Sequence, residues 1–484
     1  MMKKKPNMLG RRTVLKAAGA AGVMLATSAF AASARKRYAI VGVGSRARLY
    51  MNAVTGKFRD GNEIVAVCDS NPGRAALAVR KISATGASTP RPYSGADFER
   101  MIRETKPQFI IVTTPDATHD DYIVRALDAG CDVITEKPMT TTPEKAQRIL
   151  DAVKRSGRHI RVCFNYRYSP PRTQVKDLLM SGEIGDVLSV DFTWLLNTSH
   201  GADYFRRWHS NKAMSGGLMV HKATHHFDLV NWWLGAQPEL VQAFGSRQFY
   251  TPAMAKRLGL QGAHERCLTC PEKAKCTFYL DIGADEGLKA LYLDNEKHDG
   301  YFRDQCVFRP EISIEDTMSV MVRYDNGVQL SYALSAYDAW EGYHIAFNGT
   351  KGRIEHRIVE SAGVAGANEV QSMSVGVSTR VIPIRGPARD LEIWTGQGAH
   401  GGGDDVMLTE IFGVAPGDKY KRISDERAGA YSALVGIAAN RCFETGKTQR
   451  ISELVTGLTP PDRAPMPDRS GPVPMPRPLV RSAA

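Results

Sequence analysis

The chain has 484 residues, with 63 Lys+Arg against 51 Asp+Glu and a formal charge of +12. A content of 43% hydrophobic and 24% charged residues marks a globular body long enough for two domains, and excludes collagen-like, coiled-coil and disordered chains. Half of the excess charge is Lys3, Lys4, Lys5, Arg11, Arg12 and Lys16, and no dense basic run follows between Tyr38 and Leu458, which argues against a nucleic-acid binder.

Residues 1–34 have the form of a removable export signal. Arg11-Arg12-Thr13-Val14-Leu15-Lys16 precedes a mildly apolar run from Ala17 to Ala32 and two small-x-small cleavage sites, Ala29-Phe30-Ala31 and Ala32-Ser33-Ala34. No later stretch approaches the roughly 18 apolar residues of a spanning helix, so no membrane anchor is expected. The paired arginines resemble a twin-arginine signal, which implies transport of a folded, cofactor-loaded protein to the periplasm or a comparable exported location.

The body opens on a strand, Lys36 to Val41, running into Gly42-Val43-Gly44-Ser45-Arg46-Ala47 and a helix. The first two glycines allow a tight turn and close approach to a pyrophosphate, and the third position needs only a small residue. A second strand, Glu63 to Cys68, ends at Asp69, 22 residues beyond Ala47, where an acid binds a ribose diol and repels a 2′-phosphate. NAD is therefore favoured, and Arg74 keeps NADP as the alternative. Strands then alternate with helices, as in a parallel sheet with crossover connections. Gln108 to Thr113 ends in Thr114-Pro115-Asp116 and leads to His119, Asp132 to Thr135 ends in Glu136-Lys137-Pro138, and His159 to Cys163 leads to Asn165-Tyr166-Arg167-Tyr168. Ligands of such sheets bind beyond the carboxyl ends of the strands, where Asp69, Asp116, His119, Lys137 and Asn165 fall.

The glycine loop, the Glu136-Lys137-Pro138 turn and the Asn165-Tyr166-Arg167-Tyr168 segment resemble the Gfo/Idh/MocA oxidoreductases across roughly residues 37 to 445. After the signal over 1–34, the resemblance implies an α/β protein with a Rossmann domain over 35–165, then an α+β domain with a mostly antiparallel open sheet over 166–457. It implies NAD(P)-dependent hydride transfer on a sugar, polyol or glycoside, and a homo-oligomer, dimer or tetramer. The cofactor would meet Gly42, Gly44, Ser45, Arg46, Asp69, Thr114, Pro115, His119, Glu136, Lys137 and Asn165. Lys137 would sit between nicotinamide and substrate, with Arg167 and Tyr168 on the substrate side.

Ser215 to Leu234 has the pattern of one helix, placing His221 and His225 four residues apart on one face. In the family this segment carries an Asp and, four residues on, an acid/base His. Here His225 takes the position of the histidine and His221 that of the aspartate, so His225 loses a carboxylate partner. Either Lys137 then takes a larger share of the proton transfer or His221 orients substrate. His226 is expected to be a core residue.

Cys267, Cys270, Cys276 and Cys306 lie within a polar insertion, residues 261–308, and their spacing suits a structural zinc site, with two disulfides as the rival. The insertion would shape one wall of the site. Cys68, Cys131, Cys163 and Cys442 read as buried small hydrophobes. Thr317 to Ala336 is a hairpin around Asp325-Asn326-Gly327. His400-Gly401-Gly402-Gly403-Asp404-Asp405 opens a helix, and His400 is a further candidate for substrate hydroxyls. Eight of the 25 prolines lie beyond residue 459, so 458–484 is an extended tail that could wrap a neighbouring subunit. An NAD-dependent glycoside hydrolase and a non-catalytic sugar-binding protein are the alternatives to the oxidoreductase.

Overall fold

The computed structural model describes residues 35–361, 376–396, 399–414 and 417–469; the expected signal over 1–34 lies outside them. The first sheet holds six strands: β1 (Lys36–Val41), β2 (Asn62–Cys68), β3 (Arg91–Tyr93), β4 (Phe109–Val112), β5 (Asp132–Glu136) and β6 (Ile160–Cys163). They pair in the order β3-β2-β1-β4-β5-β6, all parallel, which is the dinucleotide-binding order expected from the alternation of strands and helices. The strands are apolar on both sides because helices cover both faces.

One of those covers comes from far along the chain. Helix Gly403–Phe412 sends Met407, Leu408, Ile411 and Phe412 into the same core as Tyr38, Ile40, Tyr50 and Val67 of the first sheet. Phe412 meets Tyr38 edge-on at 5.1 Å, and its carbonyl accepts from the Asn62 amide at 3.0 Å. The first domain is therefore completed by residues that follow most of the second.

The second sheet has nine strands: β7 (Val187–Asn197), β8 (Pro238–Ser246), β9 (Thr317–Tyr324), β10 (Gln329–Asp338), β11 (Glu341–Gly349), β12 (Gly352–Ser361), β13 (Gly376–Pro383), β14 (Arg389–Asp390) and β15 (Gln449–Arg450). Its order is β14-β13-β12-β11-β7-β10-β9-β8-β15, antiparallel except for the β7–β10 pair. The expected hairpin is β9–β10, turning on Gly327 at a φ of 84°. Alternating burial along β9 and β10 shows one face packed and one open to solvent.

Between the sheets runs helix Glu426–Thr445, whose small residues let other backbones come close. A Cβ on Gly436 would lie 2.2 Å from the Met219 carbonyl oxygen, so no side chain fits at that crossing. This contact seats the segment that carries His221. Over 459–469 the tail packs on its own chain: Ala464 is buried, Arg463 donates to the Asn231 carbonyl, and Met466 packs at Gly235. Residues 470–484 lie outside the described set. Among the described residues no helix is long and apolar enough to cross a membrane.

Candidate active site

A cavity of about 680 Å³ lies beyond the carboxyl ends of the first sheet, and both domains line it. Its floor is the glycine loop. Gly42 has a φ of 79°, and a Cβ there would overlap the backbone of Thr113 and Thr114 at 2.7–2.8 Å, so glycine is required for the two strand-end loops to meet. Above Gly44 the space is open apart from the Tyr292 hydroxyl at 3.8 Å. The Asp69 carboxylate braces the loop, accepting from the Val43 amide at 2.8 Å and the Asn71 amide at 2.8 Å.

Ser45, Thr114, Pro115, His119, Glu136 and Asn165 also line the cavity, several of them tied to other groups. Arg46 donates to Glu136 at 2.6 Å, and the Tyr50 hydroxyl reaches the same oxygen at 2.6 Å. His119 spans two backbone carbonyls, Pro138 at 2.8 Å and Thr114 at 2.9 Å, so its ring ties two loops together. The Asn165 amide donates to Asp404 at 2.7 Å, while its Oδ1 is buried with no hydrogen-bond partner among the described residues. An open glycine loop, an acid at the end of β2 and a buried, unused amide oxygen in one cleft suit a dinucleotide.

At the inner end the two domains bring Lys137, His221 and Asp116 together. The Lys137 ammonium lies 2.9 Å from the His221 carbonyl and 3.5 Å from His221 Nε2. His221 Nδ1 lies 2.5 Å from Asp116 Oδ2. Burial pushes Lys137 down to about 8, against the pull of Asp116 and Glu136. Burial likewise drives His221 well below the usual histidine range, with the Lys137 charge adding to it. Asp116 is raised by burial, opposed by Lys137. Burial at the inner end thus disfavours the charged form of all three groups.

One expectation is corrected here. The helix breaks at Lys222–Ala223 into Gly217–His221 and Thr224–Leu234, so His221 and His225 do not sit on one continuous helical face. A carboxylate does reach this segment from the first domain, but it is Asp116 and it partners His221. His225 lines the same cleft, its ring flat on Tyr166 at 4.3 Å. His226 is a core residue, bonded to the Tyr332 hydroxyl at 2.6 Å and stacked on Trp194 at 4.0 Å.

Arg167 and Tyr168 are not brought to the cleft. Arg167 grips Asp228 through two bonds of 2.7 and 2.5 Å, and Tyr168 is buried in the core behind the first sheet. The His400 side chain lies outside the described residues. The four insertion cysteines surround one void of about 20 Å³, but none is in a disulfide and Cys267 Sγ accepts from Arg206 at 3.1 Å. Among the described residues no group of three or more His, Cys, Asp or Glu is arranged to hold a metal, so the zinc expectation gains no support.

Several lining groups carried no sequence signal. His209 packs against the His221 ring at 4.1 Å, and His200, Tyr204, Arg207, Trp208 and Lys222 complete the inner wall. The insertion forms the outer wall through Tyr292, Asp299 and Tyr301. Only their place in a polar insertion hinted at such a role.

Comparison with known proteins agrees with this geometry. Residues 36–164 match the profile of an oxidoreductase family's NAD-binding Rossmann fold, and 176–451 that of its C-terminal alpha/beta domain. YteT of Bacillus subtilis is 38% identical over 429 residues, 87% of this chain and 98% of its own length. Inositol 2-dehydrogenase of Salmonella typhimurium is 29% identical over 214 residues, which cover 43% of this chain and 57% of that protein. Among solved structures, aldose-aldose oxidoreductase from Caulobacter crescentus, complexed with glycerol, superposes with a TM-score of 0.56 at 17% identity over 86% of this chain and 99% of that one, a likeness of fold.

Proposed function

The chain belongs to the Gfo/Idh/MocA oxidoreductase family, and from that membership and the cleft we propose that it moves a hydride between NAD and a CH–OH carbon of a sugar or polyol. The observation that carries the proposal is Lys137 Nζ held beside His221 at the inner end of a dinucleotide-sized cleft. Bound there, the cofactor supplies the hydride acceptor at its nicotinamide ring. The protein's part is the proton. Lys137, neutral in a good share of molecules once the pH reaches about 8, takes the proton from the substrate hydroxyl as the C–H hydride leaves. Its N–H bonds point to the His221 carbonyl and Nε2, which leaves its lone pair for the cleft. Asp116 holds the His221 ring through Nδ1, fixing Nε2 as the acceptor. In the reverse direction Lys137 returns the proton to the carbonyl oxygen.

The substrate class rests on the relatives' activities and on the polar inner wall of His200, Tyr204, Arg207, His209 and Lys222. The test is a panel of aldoses, polyols and glycosides scored by nicotinamide absorbance on purified protein. The expected result is reduction of NAD by some of these compounds; silence across the panel with NAD demonstrably bound would overturn the proposal.

We further propose export by the twin-arginine route, on the motif at Arg11-Arg12 and the two small-residue sites before Arg35. Intact-mass measurement on protein recovered from the native host should find a mature chain starting close to residue 32 or 35. A chain retaining residues 1–34 would contradict it.

A further inference from the structure

The insertion does more than close a wall. At the end of β2, Arg74 Nη2 lies 3.3 Å from Asp69 Oδ1 and 2.6 Å from Asp299 Oδ2, so one guanidinium bridges a carboxylate of the first domain and one of the insertion. The contact is built in. Asp299 Oδ1 accepts from the Tyr301 amide at 3.2 Å, which fixes its side chain. Next to it, the Asn71 amide donates to the Asn295 carbonyl at 2.9 Å. A Cβ on Gly73 would come 1.8 Å from Asn295 Oδ1, so the 71–74 turn and the 295–299 segment interdigitate. The Tyr292 hydroxyl, on the same segment, accepts from the Ser45 amide of the glycine loop at 3.3 Å.

We propose that Asp299 is a specificity-determining residue that excludes NADP by occupying Arg74. The proposal rests on the dinucleotide assignment of the cleft. In this fold the acid at the end of β2 receives the ribose diol, and a nearby arginine is what accommodates a 2′-phosphate. Here that arginine is already held, more closely by Asp299 than by Asp69. Counting Asp69, Arg74 and Asp299, the corner carries one net negative charge. A 2′-phosphate brought to it would face two carboxylates and find the cation engaged. Without Asp299, Arg74 keeps only its longer bond and is free to turn toward the phosphate.

The test is calorimetric titration of the nucleotide-free full chain with NAD and with NADP. The wild type should bind NAD more tightly. Asp299→Ala and the shape-preserving Asp299→Asn should each shift the NADP-to-NAD affinity ratio by about tenfold or more toward NADP, which corresponds to roughly 1.4 kcal/mol. Arg74→Ala added to either should abolish the gain. If both Asp299 variants keep the wild-type unfolding transition and the wild-type ratio, Asp299 does not discriminate. A wild type that binds neither dinucleotide overturns the assignment of the cleft as well. NAD binding with an unmoved ratio overturns only the role of Asp299.

Discussion

Lys137→Met is expected to lower kcat/KM for sugar oxidation by about 10²–10⁴-fold, the usual contribution of a positioned proton-transfer group, while leaving NAD affinity and the unfolding transition near wild type. Methionine keeps most of the apolar stem and removes the amine. Lys137→Arg separates charge from proton transfer, because a guanidinium stays protonated at every working pH. If a fixed cation were all that the reaction needs, the arginine variant would retain most activity, and that result would contradict the assignment. The pH profile gives a second check. Burial lowers Lys137 to about 8, so the neutral base is scarce below that pH and abundant above it. Oxidation by the wild type should rise with pH toward a plateau above about 8, and reduction should fall over the same window. The methionine variant should lose this limb. A profile flat between pH 6 and 9 in the wild type would mean that another group moves the proton.

Asp228→Ala should destabilise the protein by about 3–5 kcal/mol, because it strands the Arg167 charge in the interior. The side chains of the pair are 4% and 1% exposed, with bonds of 2.5 and 2.7 Å. Burial raises Asp228, and Arg167 acts against that rise. Chemical denaturation measures the loss. Arg167→Met in the same chain removes the stranded charge and should recover most of the stability. If the double variant is no more stable than Asp228→Ala, the cost lies in lost packing around residue 228 and not in the uncompensated cation. Neither position lies in the cleft, so kcat per folded molecule should hardly change.

The first domain was legible because its information is local. A strand, two glycines, a helix, a strand and Asp69 occur in order, and the parallel sheet follows from short-range alternation. The carboxyl-edge rule placed Asp116, Lys137 and Asn165 for the same reason. The partnership of Asp116 with His221 was not legible, since the two lie 105 residues apart on different domains. Family spacing pointed instead to a helix face, which breaks at Lys222–Ala223. Arg167 misled for a related reason: the resemblance put it on the substrate side, and only the fold reveals that Asp228 already holds it. The clasp between Arg74 and Asp299 spans 225 residues and leaves no periodic trace at either end.

Helix Gly403–Phe412 bears on how the protein is made. The first sheet is finished early in synthesis, yet one of its faces waits for Met407, Leu408, Ile411 and Phe412, which leave the ribosome hundreds of residues later. Until then Tyr38 and Ile40 have an incomplete cover, and loop closure over that span must come before the contact rewards it. The nascent chain therefore passes through a long interval with apolar surface showing, during which a chaperone would find a binding site that the finished molecule conceals.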